Sequence, residues 1–342
     1  MKTTPLDWQI GLVGYGEVGR ILAEDLRAIG IAVSAFDLKL GGPQPAALHD
    51  HASAHGVRLA GSHAELAANA DLIVSAVTAS QTVAVAEGCA PTLRAGTWFL
   101  DFNSASPGAK QRAAAGIDSA GGRYVEAAVM TSIPPYRIKV PLLLGGANAN
   151  GLLPHLTALG FVAKVASEKL GVASATKMCR SVMIKGLEAM VIEGFTTARA
   201  YGVEDEVLAS LAETFPGIDW EMQGAYFFQR AIEHGRRRSE EVREVAQTVR
   251  EAGLEPWSAQ GTAERQAWVA DLADAGVFGE RGSKGFARSP DWRVEADRIL
   301  TRLTSLSPLP PGEAPSSIPL PPGEGLRTGP TLTPALSRRE RE

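Results

Sequence analysis

Gly14, Gly16 and Gly19 stand directly after the apolar run of residues 10–13 and directly before a helical pattern, in the stretch IGLVGYGEVG. Each glycine has its own physical use. Gly14 permits a tight turn, Gly16 lets a ligand approach bare backbone, and Gly19 lets the following helix pack closely on the strand. The free N–H groups and dipole at that helix start favour an anion. The flanks agree with this pattern: Ile10, Leu12 and Val13 read as a buried strand, and Val18, Ile21, Leu22 and Leu26 recur at helical spacing until Gly30. A second strand, residues 31–36, ends at Asp37, about 20 residues past the motif, where a carboxylate accepts ribose hydroxyls. The expected chemistry is dinucleotide binding through Gly14, Tyr15, Gly16, Glu17, Val18, Gly19 and Asp37. Asp37 favours NAD because it repels the extra phosphate of NADP, whereas Lys39 would attract that phosphate.

A doubly wound parallel sheet binds ligands beyond the carboxyl ends of its strands, so residues just past those ends are the next candidates. Val77 and Thr78 follow one apolar run; Asn103 and Ser104 lie in DFNSASP after another; Met130, Thr131 and Ser132 follow a third. Asn103 and Ser104 offer hydrogen bonds where a nicotinamide or substrate would lie, or else shape a turn. Ser106-Pro107 reads as a helix cap followed by proline at the first helical position. A long helix over about residues 173–201 adds Lys177, Ser181 and Glu188 on one narrow stripe, with Lys185 at its margin. A buried lysine loses its proton more readily and suits proton transfer during hydride transfer. Alternatively, Lys177 or Lys185 only pairs with Glu188 or Glu193.

These groups need elements to hold them. Apolar runs and helical stretches alternate through residue 168, which predicts an α/β Rossmann domain with a doubly wound, mostly parallel sheet. Strands are expected at 57–60, 72–77, 98–102, 124–129, 139–144 and 161–165, with helices at 64–70, 82–93 and 109–120. Residues 169–306 read as an all-α domain for substrate and dimer contacts, its first helix buried because it is apolar nearly all round. Residues 307–342, rich in proline and glycine with PLPPGE at Pro308 and again at Pro319, read as a disordered tail.

Composition narrows the function. Hydrophobic residues make up 45% of 342, enough for a large core, and a net charge of −4 argues against nucleic acid as partner. No apolar signal core or membrane-length run occurs, so a cytoplasmic protein is expected. Cys89 and Cys179, far apart, read as small buried hydrophobes. His49, His51, His55 and His63 fall in a polar connection without metal-site spacing, so no metal is expected. Arg236-Arg237-Arg238 reads as a solvated helix end facing Glu240, Glu241 and Glu244, or as an anion-binding run.

Over about residues 8–305 the chain resembles the β-hydroxyacid dehydrogenase superfamily, which contains 3-hydroxyisobutyrate and 6-phosphogluconate dehydrogenases. IGLVGYGEVG is similar to its cofactor signature, DFNSASP to its Asp-x-Ser/Thr-Ser/Thr-x-x-Pro segment, and GVASATKMCRS to its catalytic helix start. YVEAAVMTS occupies the place of its Asp-Ala-Pro-Val-Ser-Gly-Gly substrate loop. The resemblance implies that Lys177 is the general acid/base. Met130 stands at the substrate-binding serine, Thr131 and Ser132 at two glycines, and Ser181 at an asparagine, which implies a remodelled carboxylate-binding loop. The helical half resembles a bacterial phosphogluconate-dehydrogenase-like branch with an uncharacterised C-terminal domain. An NAD(P)-dependent oxidoreductase of a small hydroxy acid or related alcohol follows, as a homodimer. An imine-reducing enzyme and a non-catalytic NAD(P)-binding sensor are the alternatives.

Overall fold

Alternating apolar runs become strands wherever a helix can cover each face, and the amino-terminal half follows that rule. The computed structural model describes residues 4–43 and 45–306. In chain order it contains β1 (Gln9–Val13), α1 (Glu17–Ala28), β2 (Ala32–Phe36), α2 (Ala46–His55), β3 (Arg58–Leu59), α3 (His63–Asn69), β4 (Leu72–Ser75), α4 (Thr82–Cys89), β5 (Trp98–Asp101) and α5 (Pro107–Ser119). It continues with β6 (Arg123–Val129), β7 (Leu142–Gly145), α6 (Ala149–Ala158), β8 (Ala163–Ser167) and five helices, α7 (Val172–Tyr201), α8 (Glu204–Thr214), α9 (Trp220–Glu251), α10 (Trp257–Asp274) and α11 (Trp292–Leu306). The expected tail, with both PLPPGE segments, lies outside the described residues.

The eight strands form one sheet in the order β3-β2-β1-β4-β5-β6-β7-β8. All neighbours are parallel except β6 and β7, which run antiparallel. The register places the end of the sheet: Val13 is opposite Phe36 and Ser75, Ser75 opposite Asp101, Asp101 opposite Glu126, and Glu126 opposite Gly145. Gly14, Asp37, Ala76 and Phe102 therefore follow their strands at one edge.

Several elements differ from the sequence reading. The connection holding His49, His51 and His55 is the helix α2, and His63 opens α3. Residues 139–141 lie outside β7, because Arg137–Lys139 is a single 3₁₀ turn. Helix α6 is continuous through Pro154, its sixth residue, where the proline gives up one i→i−4 hydrogen bond. Cys179 is exposed, so only Cys89 is the buried apolar thiol expected, and burial pushes its pKa up to about 12.

The sheet and helices α7 to α10 belong to one compact unit that extends to Leu300. Aromatic residues dominate the helical core, with Phe195, Trp220, Phe227, Phe228 and Trp292 packed together. Helix α7 is not buried all round: Met183, Met190 and Tyr201 are 71%, 64% and 75% exposed. At about 100° per residue those three share one face, opposite the side that packs inward. Among the described residues no helix is long and apolar enough to cross a membrane.

Candidate active site

The glycine turn separates its three members by what surrounds them. Gly14 has φ +93°, and a Cβ there would lie 2.3 Å from the carbonyl oxygen of Ala76. A Cβ on Gly19 would lie 2.0 Å from the carbonyl oxygen of Gly14, whereas one on Gly16 would meet nothing within 4 Å. Two glycines are thus required by the protein's own backbone, and the third faces open space at the start of α1. No side chain caps α1 at Gly16, which leaves its first N–H groups for a ligand. Arg20, which sequence alone did not single out, reaches back to the Gly16 carbonyl at 3.4 Å and brings a guanidinium to the turn.

Asp37 braces this turn. Its Oδ2 accepts from the backbone N–H of Tyr15 at 2.7 Å and its Oδ1 from that of Lys39 at 2.9 Å, while the Lys39 side chain is exposed. Glu17 is exposed and Val18 half-buried at the helix start. The Tyr15 ring turns inward and is fully buried; its hydroxyl pairs with Nδ1 of His51 at 2.8 Å. Burial pushes that phenol up to about 12, against Arg20, which lowers it. His51 Nε2 meets Glu24 at 2.9 Å, and Glu24 and Asp25 together hold Arg137 at 2.7 and 2.8 Å. The fold therefore assembles Glu24, His51 and His55, whose ligand atoms lie within 4.8 Å of one another, although their spacing gave no metal pattern. Both ring nitrogens of His51 are occupied by protein partners.

At the end of β4 and β5 the row Ser75, Asp101 and Glu126 is polar and buried. Ser75 Oγ accepts from the Asn103 amide at 2.9 Å, and the Asn103 carbonyl accepts from Val77 N–H at 2.7 Å. Asn103 thus ties the two loops together, and Thr78 beside Val77 is exposed. Asp101 accepts from Lys110 at 2.9 Å, from Tyr124 at 2.5 Å and from Asn103 N–H at 2.8 Å. Lys110 and Asp101 are each 1% exposed, so neither charge is tolerable without the other. Sequence reading missed this pair, whose one available signal was a charged residue on the apolar face of α5.

Glu126 fixes the helix that carries the chemistry. Fully buried, it accepts from the N–H groups of Gly171 at 2.7 Å, Ala173 at 3.2 Å and Ser174 at 3.2 Å, which caps α7. Gly145 leaves room for it, since a Cβ there would lie 2.3 Å from Glu126 Oε1. Glu126→Ala strands three buried donors and is expected to cost at least about 3 kcal/mol of unfolding free energy, with Glu126→Gln costing less. Urea titration checks this; a loss below about 1 kcal/mol for the alanine variant contradicts the role.

From that cap α7 delivers Lys177 to the loop after β5. Lys177 Nζ donates to Ser104 Oγ at 2.6 Å, a contact across 73 residues of sequence. Burial lowers the ammonium's pKa to about 8; Glu241 opposes this, and Lys185, Lys110 and Arg237 reinforce it. Ser181, one turn on, is buried. Met130 is half-buried and packs beside Ala128, Leu143 and Ala173, whereas Thr131 and Ser132 are exposed. Glu188 does not join Lys177: it is deep in the helical half, paired with Arg238 and Gln266.

The arginine run is not a helix end. It lies midway along α9 and points three ways: Arg236 to Asp271 and Asp274, Arg237 to Glu241, and Arg238 to buried Glu188. Helix periodicity explains the divergence, since consecutive residues turn by about 100°. The same helix clamps the candidate site, because Glu244 accepts from Ser106 N–H at 2.9 Å and Glu251 from Ser106 Oγ and Gly108 N–H, each at 2.8 Å. Ser106 also caps α5 as its sequence position implied.

Comparison with known proteins places these features in a wider set. Residues 9–137 match the NAD binding domain of 6-phosphogluconate dehydrogenase, and residues 198–269 match a domain of unknown function, DUF1932. A conserved hypothetical protein from Sinorhizobium meliloti is 35% identical, with a TM-score of 0.68 over 87% of this chain and 97% of that one. An uncharacterised 28.5 kDa protein of Methanothermus fervidus is 28% identical over 72% of this chain and 93% of its own. The mitochondrial 3-hydroxyisobutyrate dehydrogenase of Drosophila melanogaster is 24% identical over 62% of this chain and 64% of its own.

Proposed function

We propose a working activity for this chain, which belongs to the 3-hydroxyisobutyrate and 6-phosphogluconate dehydrogenase-like superfamily of NAD(P)-binding proteins: a cytoplasmic oxidoreductase acting on a small hydroxy acid or related alcohol. The observation that carries the reading is the Lys177–Ser104 contact, made past the end of β5 at the same end of the sheet as the glycine turn after β1. A bound nicotinamide supplies the hydride acceptor or donor. The chain's own residues do the rest. Gly14 to Gly19, with the start of α1, fit a pyrophosphate because Gly16 alone of the three leaves space a Cβ would fill. Lys177 Nζ takes up the hydroxyl proton in oxidation and returns it in reduction, and Ser104 Oγ holds that nitrogen in place. Met130 gives the substrate side an apolar wall in place of a donor.

Asp37 makes NAD the preferred nucleotide in this reading, since a carboxylate at the end of the second strand repels the extra phosphate of NADP. Titration should give NAD a lower Kd than NADP, and the reverse order would transfer the determinant to Lys39 and Arg20. A panel of hydroxy acids and alcohols with either nucleotide, followed by nicotinamide absorbance, tests the activity. Met130 also motivates a second reading, imine reduction, which an amine-plus-ketone screen distinguishes because a hydroxy-acid enzyme ignores the amine. Turnover with neither class, despite nucleotide binding, would favour a sensor. A homodimer that covers Met183, Met190 and Tyr201 of α7 completes the proposal; sedimentation at the monomer mass contradicts it.

A further inference from the structure

Charges from two other helices and from its own act on Lys177 through space. Lys110 of α5 is neutralised by Asp101 of β5, to which Tyr124 of β6 also donates. Lys185 lies two turns further along α7, on the row that runs through Ser181. Arg237 and Glu241 come from α9, one turn apart. Glu241 is the acid these cations share: its Oε2 accepts from Lys185 Nζ at 2.5 Å and its Oε1 from Arg237 at 3.2 Å. Lys185 is 9% exposed and Glu241 19% in their side chains, so solvent screens this pair weakly. Burial alone would raise the Glu241 carboxyl, but Lys185, Arg237 and Lys177 outweigh it and hold its pKa at about 2. Glu241 is therefore an anion throughout the working range and a poor proton acceptor, and it acts on its neighbours by fixed charge.

We propose that Glu241 and Lys185, in contact at 2.5 Å beside the row that carries Lys177, are opposed positioning residues for the proton step, a pair of charges whose balance, on top of burial, tunes Lys177 between ammonium and amine. Through Glu241 the domain of unknown function takes part in the chemistry by its field, without touching substrate. This rests on the reading of Lys177 as proton donor and acceptor. It has consequences of opposite sign. Removing Glu241 takes from Lys177, Lys185 and Arg237 the carboxylate they share and favours the amine. Removing Lys185 takes away a repelling cation, frees Glu241 for Lys177 and favours the ammonium.

Competitive acetylation of the folded full chain with acetic anhydride reads this without a substrate. The yield at Lys177 is followed against pH by mass spectrometry, with exposed Lys39 of the same molecule as reference. The wild-type inflection is expected near pH 8. Glu241→Gln should move it toward acid by about one pH unit, Lys185→Met should move it toward alkali by a similar amount, and Glu241→Asp should restore it. A purely structural role would lower the melting temperature and leave the inflection in place. Movement of both variants in one direction, or of neither, overturns the proposal. Should Glu241→Gln fail to fold, alkaline movement in Lys185→Met and its absence in Lys185→Arg decide the matter. Because the readout is labelling, a failure of the hydride-transfer reading would show separately, as unchanged turnover on replacement of Lys177.

Discussion

Replacing Lys177 by Ala lowers turnover by about 10²–10⁴-fold in either direction, the range expected when a positioned proton donor or acceptor is lost. The Kd for NAD or NADP changes by less than about twofold, because Lys177 lies on α7, away from the glycine turn. The pH dependence has a definite sign. Oxidation needs the amine, so its rate rises with pH through about 8; reduction needs the ammonium and falls through the same point. Lys177→Arg sharpens the test, because a guanidinium preserves charge and reach but does not release a proton at these pH values. It should abolish oxidation as fully as alanine does. Stopped-flow measurement of nicotinamide absorbance from pH 6 to 10, roughly the span bracketing that pKa, checks all three, and unchanged turnover in Lys177→Ala removes the lysine from this role.

The glycine turn should divide under substitution along the lines of the three separate uses, with Gly16 set apart from Gly14 and Gly19. Gly16→Ala is expected to fold with the melting temperature of the wild type, since its Cβ meets nothing within 4 Å. It should weaken dinucleotide binding by about tenfold or more, because the new methyl occupies the approach to the backbone. Gly19→Ala and Gly14→Ala should instead lose about 1–3 kcal/mol of stability each, as their Cβ atoms collide with carbonyl oxygens that cannot move independently of the sheet. Gly14 adds the strain of φ +93° for a residue with a side chain. Calorimetric melting and nucleotide titration on the three variants separate the two effects. Equal melting temperatures for all three, or intact binding in Gly16→Ala, would contradict the assignment.

Much of the architecture was legible because it rests on local periodicity. The strand, turn and helix around Gly14 to Gly19 announce themselves by the change from continuous apolar residues to helical spacing. The long helix carrying Lys177 could be placed within a residue, since Gly171 and Gly202 bracket an unbroken pattern. The edges were less legible: the segment of His49, His51 and His55 is helical although its residues gave no apolar stripe. Candidate site residues near strand ends could be named by rule, but their partners could not. Asn103, read as a group for ligand or turn, spends its amide on Ser75 and Val77. Asp101, Lys110 and Glu126 were passed over, and Glu241 was read only as a partner of the arginine run, because each looks, one at a time, like an ordinary charge on an element.

What the amino-acid sequence determined by itself is the glycine turn, the strand-and-helix alternation, the change to helices after residue 168 and the presence of a lysine on a largely apolar helix. These are properties of neighbours along the chain, where period and turn chemistry act over a few residues. Tertiary structure alone decided that Glu126 caps α7, that Lys177 meets Ser104, and that Glu241, 64 residues downstream of Lys177, pairs with Lys185 and acts on Lys177 through space. Electrostatic energy depends on distance through the fold and on the water excluded between charges, and neither quantity is written in sequence separation.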